Sequence, residues 1–134
     1  MKETPAPMTT GDIQSLHDEI FAPWIQALGI CPMAVDDGAC AFALPASETL
    51  TRGGGAGGGV VCGQAVSAAA DTASVLTLSA LNGRFRACTT VDLTAHFIRP
   101  LPPGAGDTRV EARSHGRRMA GTRAGFRRAG SRNP

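Results

Sequence analysis

With 134 residues, 43% of them hydrophobic and 18% charged, the chain has the size and balance of one globular domain, too short for two cores and too apolar to be wholly disordered. The absence of Tyr, with one Trp and five Phe, excludes the aromatic stacking platforms of single-stranded nucleic-acid binders. A net charge of +2 conceals an acidic body and a basic end: positions 1 to 111 carry eleven acids against six bases, and positions 112 to 134 carry seven arginines and no acid.

Twelve of the thirteen bases are Arg, and beside seventeen glycines this reads as a compositional habit rather than a nucleic-acid footprint. Cys31, Cys40, Cys62 and Cys88 form no Cys-x-x-Cys pair, and His17, His96 and His115 add no metal-ligand spacing, so no metal or other cofactor is expected. No apolar leader follows Met1-Lys2-Glu3-Thr4-Pro5, and no uninterrupted apolar run is long enough to span a bilayer. The expectation is a soluble cytoplasmic protein, with no membrane partner and with thiols that act as small buried hydrophobes.

Residues 1–9 are rich in Pro and Thr and are expected to be loose, residues 10–128 to form the domain, and residues 129–134 to be a tail. Thr10-Gly11-Asp12 offers helix caps, and the apolar positions Ile13, Leu16, Ile20, Phe21, Trp24, Ile25 and Leu28 then recur at helical spacing up to Gly29. Pro23 removes a backbone donor inside that pattern, so two short helices joined near Ala22 or one bent helix would fit. Strand signals follow in Met33–Val35 and Cys40–Leu44 around an Asp36-Asp37-Gly38 turn, a hairpin or one bulged strand. Six glycines then fill the seven positions from Gly53 to Gly59 and exclude a regular element. That run permits close approach of backbone to another group or forms a surface linker, and no Lys-Ser/Thr follows to make it a nucleotide loop.

Val60 to Leu81 is alanine-rich and free of Pro, and predicts a central helix ended near Asn82-Gly83. Gln64, Ser67, Asp71 and Ser74 recur on one face as a narrow polar stripe, while alanines at 65, 68, 69, 70, 73 and 80 allow a sheet to approach closely. Such short polar groups suit a cleft or a subunit interface, with a plain solvent stripe as the alternative. Arg86 to Arg99 alternates as a strand closed by Pro100, and strands over Thr108–Ser114 and Arg118–Phe126 follow a Pro102–Gly106 turn. A long helix among antiparallel strands is an α+β pattern.

Two stretches carry a family likeness: Gly63-Gln64-Ala65-Val66-Ser67-Ala68-Ala69-Ala70-Asp71-Thr72, and Thr90-Val91-Asp92-Leu93-Thr94-Ala95-His96-Phe97-Ile98-Arg99-Pro100. Together they resemble the hotdog-fold acyl-CoA thioesterases of the phenylacetic-acid-degradation (PaaI-like) type, over about residues 10 to 128. The resemblance implies a curved antiparallel sheet wrapped around the helix, homodimers or homotetramers, and hydrolysis of small or medium acyl-CoA thioesters. It assigns Asp71 as general base or nucleophile, the backbone N–H of Gly63 and Gln64 as donors to the carbonyl oxygen, and Thr89 or Thr90 as a hydroxyl that assists water. Cys62, Ser67 and Ser74 would border the substrate, and Leu76, Leu81 and Phe97 would wall the acyl tunnel.

The sequence departs from the family at three places. Cys62-Gly63-Gln64 stands where relatives have His-Gly-Gly, and an Asn of the preceding loop falls near Ala56. After Gly116-Arg117-Arg118-Met119-Ala120, the weakly alternating Gly121–Arg128 leaves no counterpart for the family's final inner strand, so the fold is expected to lack its last strand. Cys62 is a rival nucleophile, and Arg99, Arg117 and Arg118 flank strand ends where they would meet the phosphates of coenzyme A or remain an inert solvated set. A non-catalytic dimer that binds acyl thioesters, and a plain interaction domain, are the competing functions.

Overall fold

Thr9 opens the first helix: its hydroxyl accepts from the Asp12 N–H at 3.1 Å while its own N–H donates to the Asp12 carboxylate at 2.9 Å, a reciprocal capping box. The computed structural model describes residues 8–45, 47–53, 59–102, 104 and 106–128. In it α1 (Thr10–Ile20) is followed by a single turn, α2 (Pro23–Gln26), with Pro23 at its first position. The proline thus divides the apolar pattern into two helices, and the shared register is lost across the break. Ile13 is fully buried, whereas Trp24 is 65% exposed. Of residues 1–9, expected to be loose, 1–7 lie outside the described residues, as does the expected tail, 129–134; Met8 packs against the core and Thr9 caps α1.

β1 (Cys31–Asp36) and β2 (Ala39–Leu44) form the hairpin, with a bulge between Pro32 and Ala34. Gly38 turns the corner at φ 79°, a left-handed conformation that glycine adopts without steric cost. A single 3-10 turn (Glu48–Leu50) leads to the short β3 (Thr51–Arg52), which pairs with β4 (Val60–Val61). Most of the glycine run, residues 54–58, lies outside the described residues.

The central helix, α3, spans Gly63–Asn82. It begins three residues later than its composition predicts, because Val60 and Val61 are drawn into β4 and Cys62 is the extended N-cap. Gly83, at φ 74°, ends it as a left-handed cap. Ala65, Ala69, Ala73, Leu76 and Ala80 form one buried face, and they share a core with Ile13, Ile30, Phe42, Leu44 and Val110. Thr72, Thr77 and Ser79 are buried on the same helix because each hydroxyl donates to the carbonyl four residues back, at 2.8 to 2.9 Å. Small side chains let the sheet lie close, so the packing of this helix rests on alanine rather than on large aromatics.

The sheet runs β1-β2-β5-β6, with β5 at Gly106–His115 and β6 at Ala120–Arg128, all antiparallel. Cys40 faces Val110, and Val110 faces Ala124, which carries the apolar face across three strands. The result is the expected α+β arrangement of an antiparallel sheet on a long central helix. β6 forms over nine residues despite its weak alternation, because β5 offers it a full-length edge. Among the described residues no strand follows it.

One expected strand is corrected. Residues 85–100, which alternate as a strand from Arg86 to Arg99, join no sheet and make no backbone–backbone hydrogen bond among the described residues. The alternation is genuine, but the edge of β6 faces this segment across a cavity, so its peptide groups have no ladder to enter.

All four cysteines are free thiols, with Cys40 buried, Cys62 half-buried, and Cys31 and Cys88 exposed. Burial pushes the Cys40 thiol up, further from its reactive thiolate form. A thiol reagent added to native protein is therefore expected to modify Cys31 and Cys88 first and Cys40 only after denaturation. Peptide mapping at timed quenches checks the order, and early labelling of Cys40 would mean that the core opens readily.

Candidate active site

The outward face of α3 meets residues 85–100 and β6 around a cavity of about 1520 Å³. Helical spacing brings Gly63, Ser67, Asp71 and Ser74 onto its wall together with Val75 and Leu78. Gln64, at the head of the expected stripe, is exposed and outside the lining, because it is rotated away by the first turn. Cys62 also lies outside the lining; its half-buried side chain packs on the hydrophobic core.

Asp71 is half-buried, and the Thr90 hydroxyl donates to its Oδ1. This bond joins the two stretches that carried the family likeness, the mid-helix carboxylate and the downstream Thr-Val-Asp segment. Thr89 lines the same cavity. Ser74 meets Thr122 of β6 at 2.7 Å, hydroxyl to hydroxyl, which ties the helix to the far wall. Ser67 borders the cavity without a side-chain hydrogen bond among the described residues.

Gly63 occupies the first position of α3, where backbone N–H groups have no partner within the helix. The Phe97 ring lies against it so closely that a Cβ at position 63 would meet the ring at 3.3 Å. A side chain here would displace the ring by a few tenths of an ångström, which the 61%-exposed Phe97 can yield, and the same contact lays Phe97 of the 85–100 segment on the helix. Of the expected tunnel walls only Phe97 lines the cavity: Leu76 is fully buried in the core, and Leu81 is turned away from the lining. Val75 and Leu78, four and seven residues after Asp71, take their place. Sequence spacing carries that signal, since both positions continue the face of Asp71 and Ser74.

Arg99, Arg117 and Arg118 all border the cavity, and none has a carboxylate partner among the described residues. Arg86, which the sequence did not single out, also lines the cavity and donates from Nη2 to the Arg117 carbonyl at 3.4 Å. Among the described residues no group of three His, Cys, Asp or Glu side chains converges to hold a metal ion, and no helix is long and apolar enough to cross a membrane.

An antiparallel sheet on a long central helix, with a lone helix carboxylate at a cavity beside the helix N-terminus, defines a hotdog-fold thioesterase enzyme. The sequence profile described as acyl-CoA thioesterase N-terminal domain matches residues 46–131, and the chain belongs to that family. Among solved structures the chain is similar to a thioesterase of Haemophilus influenzae, with TM-score 0.78, 19% identity, and coverage of 92% of this chain and 82% of that one. It is also similar to a conserved protein of Pseudomonas aeruginosa (TM-score 0.72, 23% identity, 84% of this chain and 87% of that one). A third is the PaaI protein from the phenylacetic acid degradation operon of Escherichia coli (TM-score 0.66, 19% identity, 87% and 82%). At such identities the likeness establishes the fold. No curated protein matches the sequence.

Proposed function

We propose that the chain hydrolyses small or medium acyl-CoA thioesters as a cytoplasmic homodimer or homotetramer, with Asp71 as general base. The observation that carries this reading is the Thr90–Asp71 hydrogen bond on the cavity wall. It occupies one carboxylate oxygen and leaves the other to accept a proton from water. Water attacks the thioester carbonyl carbon as Asp71 takes its proton, the carbonyl oxygen becomes an oxyanion, and collapse expels the thiolate. The proton on Asp71 then returns to the thiolate, giving one acid and one thiol per water consumed.

The oxyanion needs donors about 3 Å away, and the base must reach the attacking water at a similar range. Gly63 and Asp71 lie eight positions apart on one helix, roughly 12 Å along its axis at 1.5 Å per residue. One chain therefore does not place both on the same carbonyl. A composite site, with Gly63 and the neighbouring Gln64 N–H from one copy and Asp71 from another, removes the difficulty. The apolar Val75, Leu78 and Phe97 suit an acyl chain. Four free thiols agree with a reducing compartment.

Free-thiol release from acyl-CoAs of increasing chain length tests the reading, with sedimentation of the same sample. Turnover on short or medium chains by a dimer or larger assembly is the expected result. Saturable binding without thiol release on any thioester would instead leave a binding dimer.

The arginines at the mouth give a separate expectation. Replacing Arg99, Arg117 and Arg118 together by Ala should raise KM several-fold, by roughly 5-fold or more at low salt, with kcat little changed and the salt dependence of KM flattened. An unchanged KM and salt slope would remove these residues from phosphate contact.

A further inference from the structure

The hydroxyls of α3 fall into two sets. Thr72, Thr77 and Ser79, all buried, each donate to the carbonyl four residues back. Ser74 does not. It is half-buried on the cavity wall, and among the described residues its hydroxyl meets only that of Thr122, at 2.7 Å. Two hydroxyls carry two protons and four lone pairs, and the bond between them uses one of each, so one O–H donor and several lone pairs are left at the pair.

The wall around them is apolar. Strand alternation turns Thr122, Ala124 and Phe126 of β6 to one face, with Thr122 the hydroxyl of that row, and α3 adds Val75 and Leu78. In solution water meets the free donor, and an acyl chain laid along the wall displaces that water. A methylene at this point returns no hydrogen bond, whereas an oxygen does.

Helix geometry sets where the oxygen must be. Ser74 stands three positions after Asp71, about 4.5 Å along the axis. Val75 and Leu78 continue in the same direction, so a chain that leaves the carbonyl at Asp71 for the apolar wall passes the hydroxyl pair first. That rise of about 4.5 Å is roughly the distance from a thioester carbonyl carbon to a hydroxyl two or three carbons further along. A hydroxyl also matches what the pair has left, because it accepts from the free O–H and donates to a free lone pair, and a carbonyl can only accept.

We propose that the Ser74–Thr122 pair is a specificity-determining contact that selects short aliphatic acyl groups bearing a hydroxyl, β-hydroxyacyl thioesters above all, over their plain alkyl counterparts. The inference rests on the hydrolytic reading for the position of the thioester at Asp71, and adds to it the chemical class of the acyl group.

The pair also ties the helix to the sheet, so the test is a ratio that folding does not move. Thiol release is measured on butanoyl-CoA and on each enantiomer of β-hydroxybutanoyl-CoA, and the kcat/KM values are compared within one sample, where any loss of folded protein cancels. The parent is expected to prefer the better hydroxy enantiomer by about tenfold, the size of one hydrogen bond made or lost. Ser74→Ala and Thr122→Val in one chain remove both hydroxyls and should bring the ratio to about one. Thr122→Val alone should lower it, because an unheld Ser74 hydroxyl turns back to the Ala70 carbonyl. Thr122→Ser keeps a hydroxyl on β6 and should keep the preference.

Thiol release at equal kcat/KM from the two kinds of thioester overturns the proposal and leaves hydrolysis standing. A preference that survives in the double variant overturns it too, since another group then reads the hydroxyl. If no thiol is released from any of the three, hydrolysis falls instead, and the pair is judged by calorimetric binding of two unreactive thioethers, S-butyl-CoA and its hydroxybutyl counterpart. Binding of the latter about tenfold more tightly, lost in the double variant, supports the contact, and equal binding overturns it.

Discussion

Asp71→Asn is expected to lower kcat by about 10²-fold or more while leaving KM within a factor of about two. The asparagine carbonyl still accepts from Thr90, so the hydroxyl bond and the packing of the helix survive, and only the base is lost. The melting temperature should therefore stay close to that of the parent. Cys62→Ala is the matched control: this thiol packs on the core outside the cavity lining, and its loss should cost some stability but little activity. The reverse pattern, an active Asn variant and an inactive Ala variant, would move the chemistry to the thiol. A single turnover in ¹⁸O-labelled water identifies a nucleophile whose anhydride opens at the aspartyl carbon, since the product acid then carries an unlabelled oxygen from Asp71 and the label stays on the protein, whereas a base always places the label in the product acid.

The pieces of that site are legible in the sequence where they obey local rules. Ser67, Asp71 and Ser74 fall on one wall by helical spacing alone, whereas Gln64 of the same stripe does not and Gly63 is indicated only by the family resemblance; the Gly38 and Gly83 turns follow from the logic of chain reversal. What sequence did not carry is pairing. Residues 86–99 alternate as cleanly as any strand in the chain, yet whether a strand enters a sheet depends on an edge contributed by another element, and here that edge stands across a cavity. The converse holds for β6, whose glycines and arginines read weakly but which is held by the full length of β5. Leu76 and Leu81 show the same limit at finer grain. A helix in contact on several sides needs three-dimensional packing to decide which leucine faces core and which faces substrate. Phe97 is the instructive exception, since its place on the wall could be expected while its contact with Gly63 could not.

That contact complicates the test of the oxyanion donor, and suggests how to isolate it. Gly63→Pro removes the N–H at the first position of α3, where proline is tolerated and where the preceding Cys62 already has the extended backbone (φ −68°, ψ 149°) that proline requires. The expected loss is about 10² to 10³ in kcat, the usual effect of deleting one oxyanion donor. Both proline and alanine bring a Cβ to within 3.3 Å of Phe97, so Gly63→Ala repeats the steric change while keeping the N–H. If the two variants fall equally, the effect is packing and the donor role is lost; if Ala retains most activity and Pro does not, the N–H carries it. Mixing then tests the composite site. A dimer of one Gly63→Pro chain and one Asp71→Asn chain has one site with both defects and one with neither. Unfolding and refolding an equal mixture should therefore restore about a quarter of wild-type activity, since half the dimers are hybrid and each has one intact site. Activity that stays at the level of the separate variants would mean that base and donor act within one chain, against the roughly 12 Å that eight residues of helix place between them.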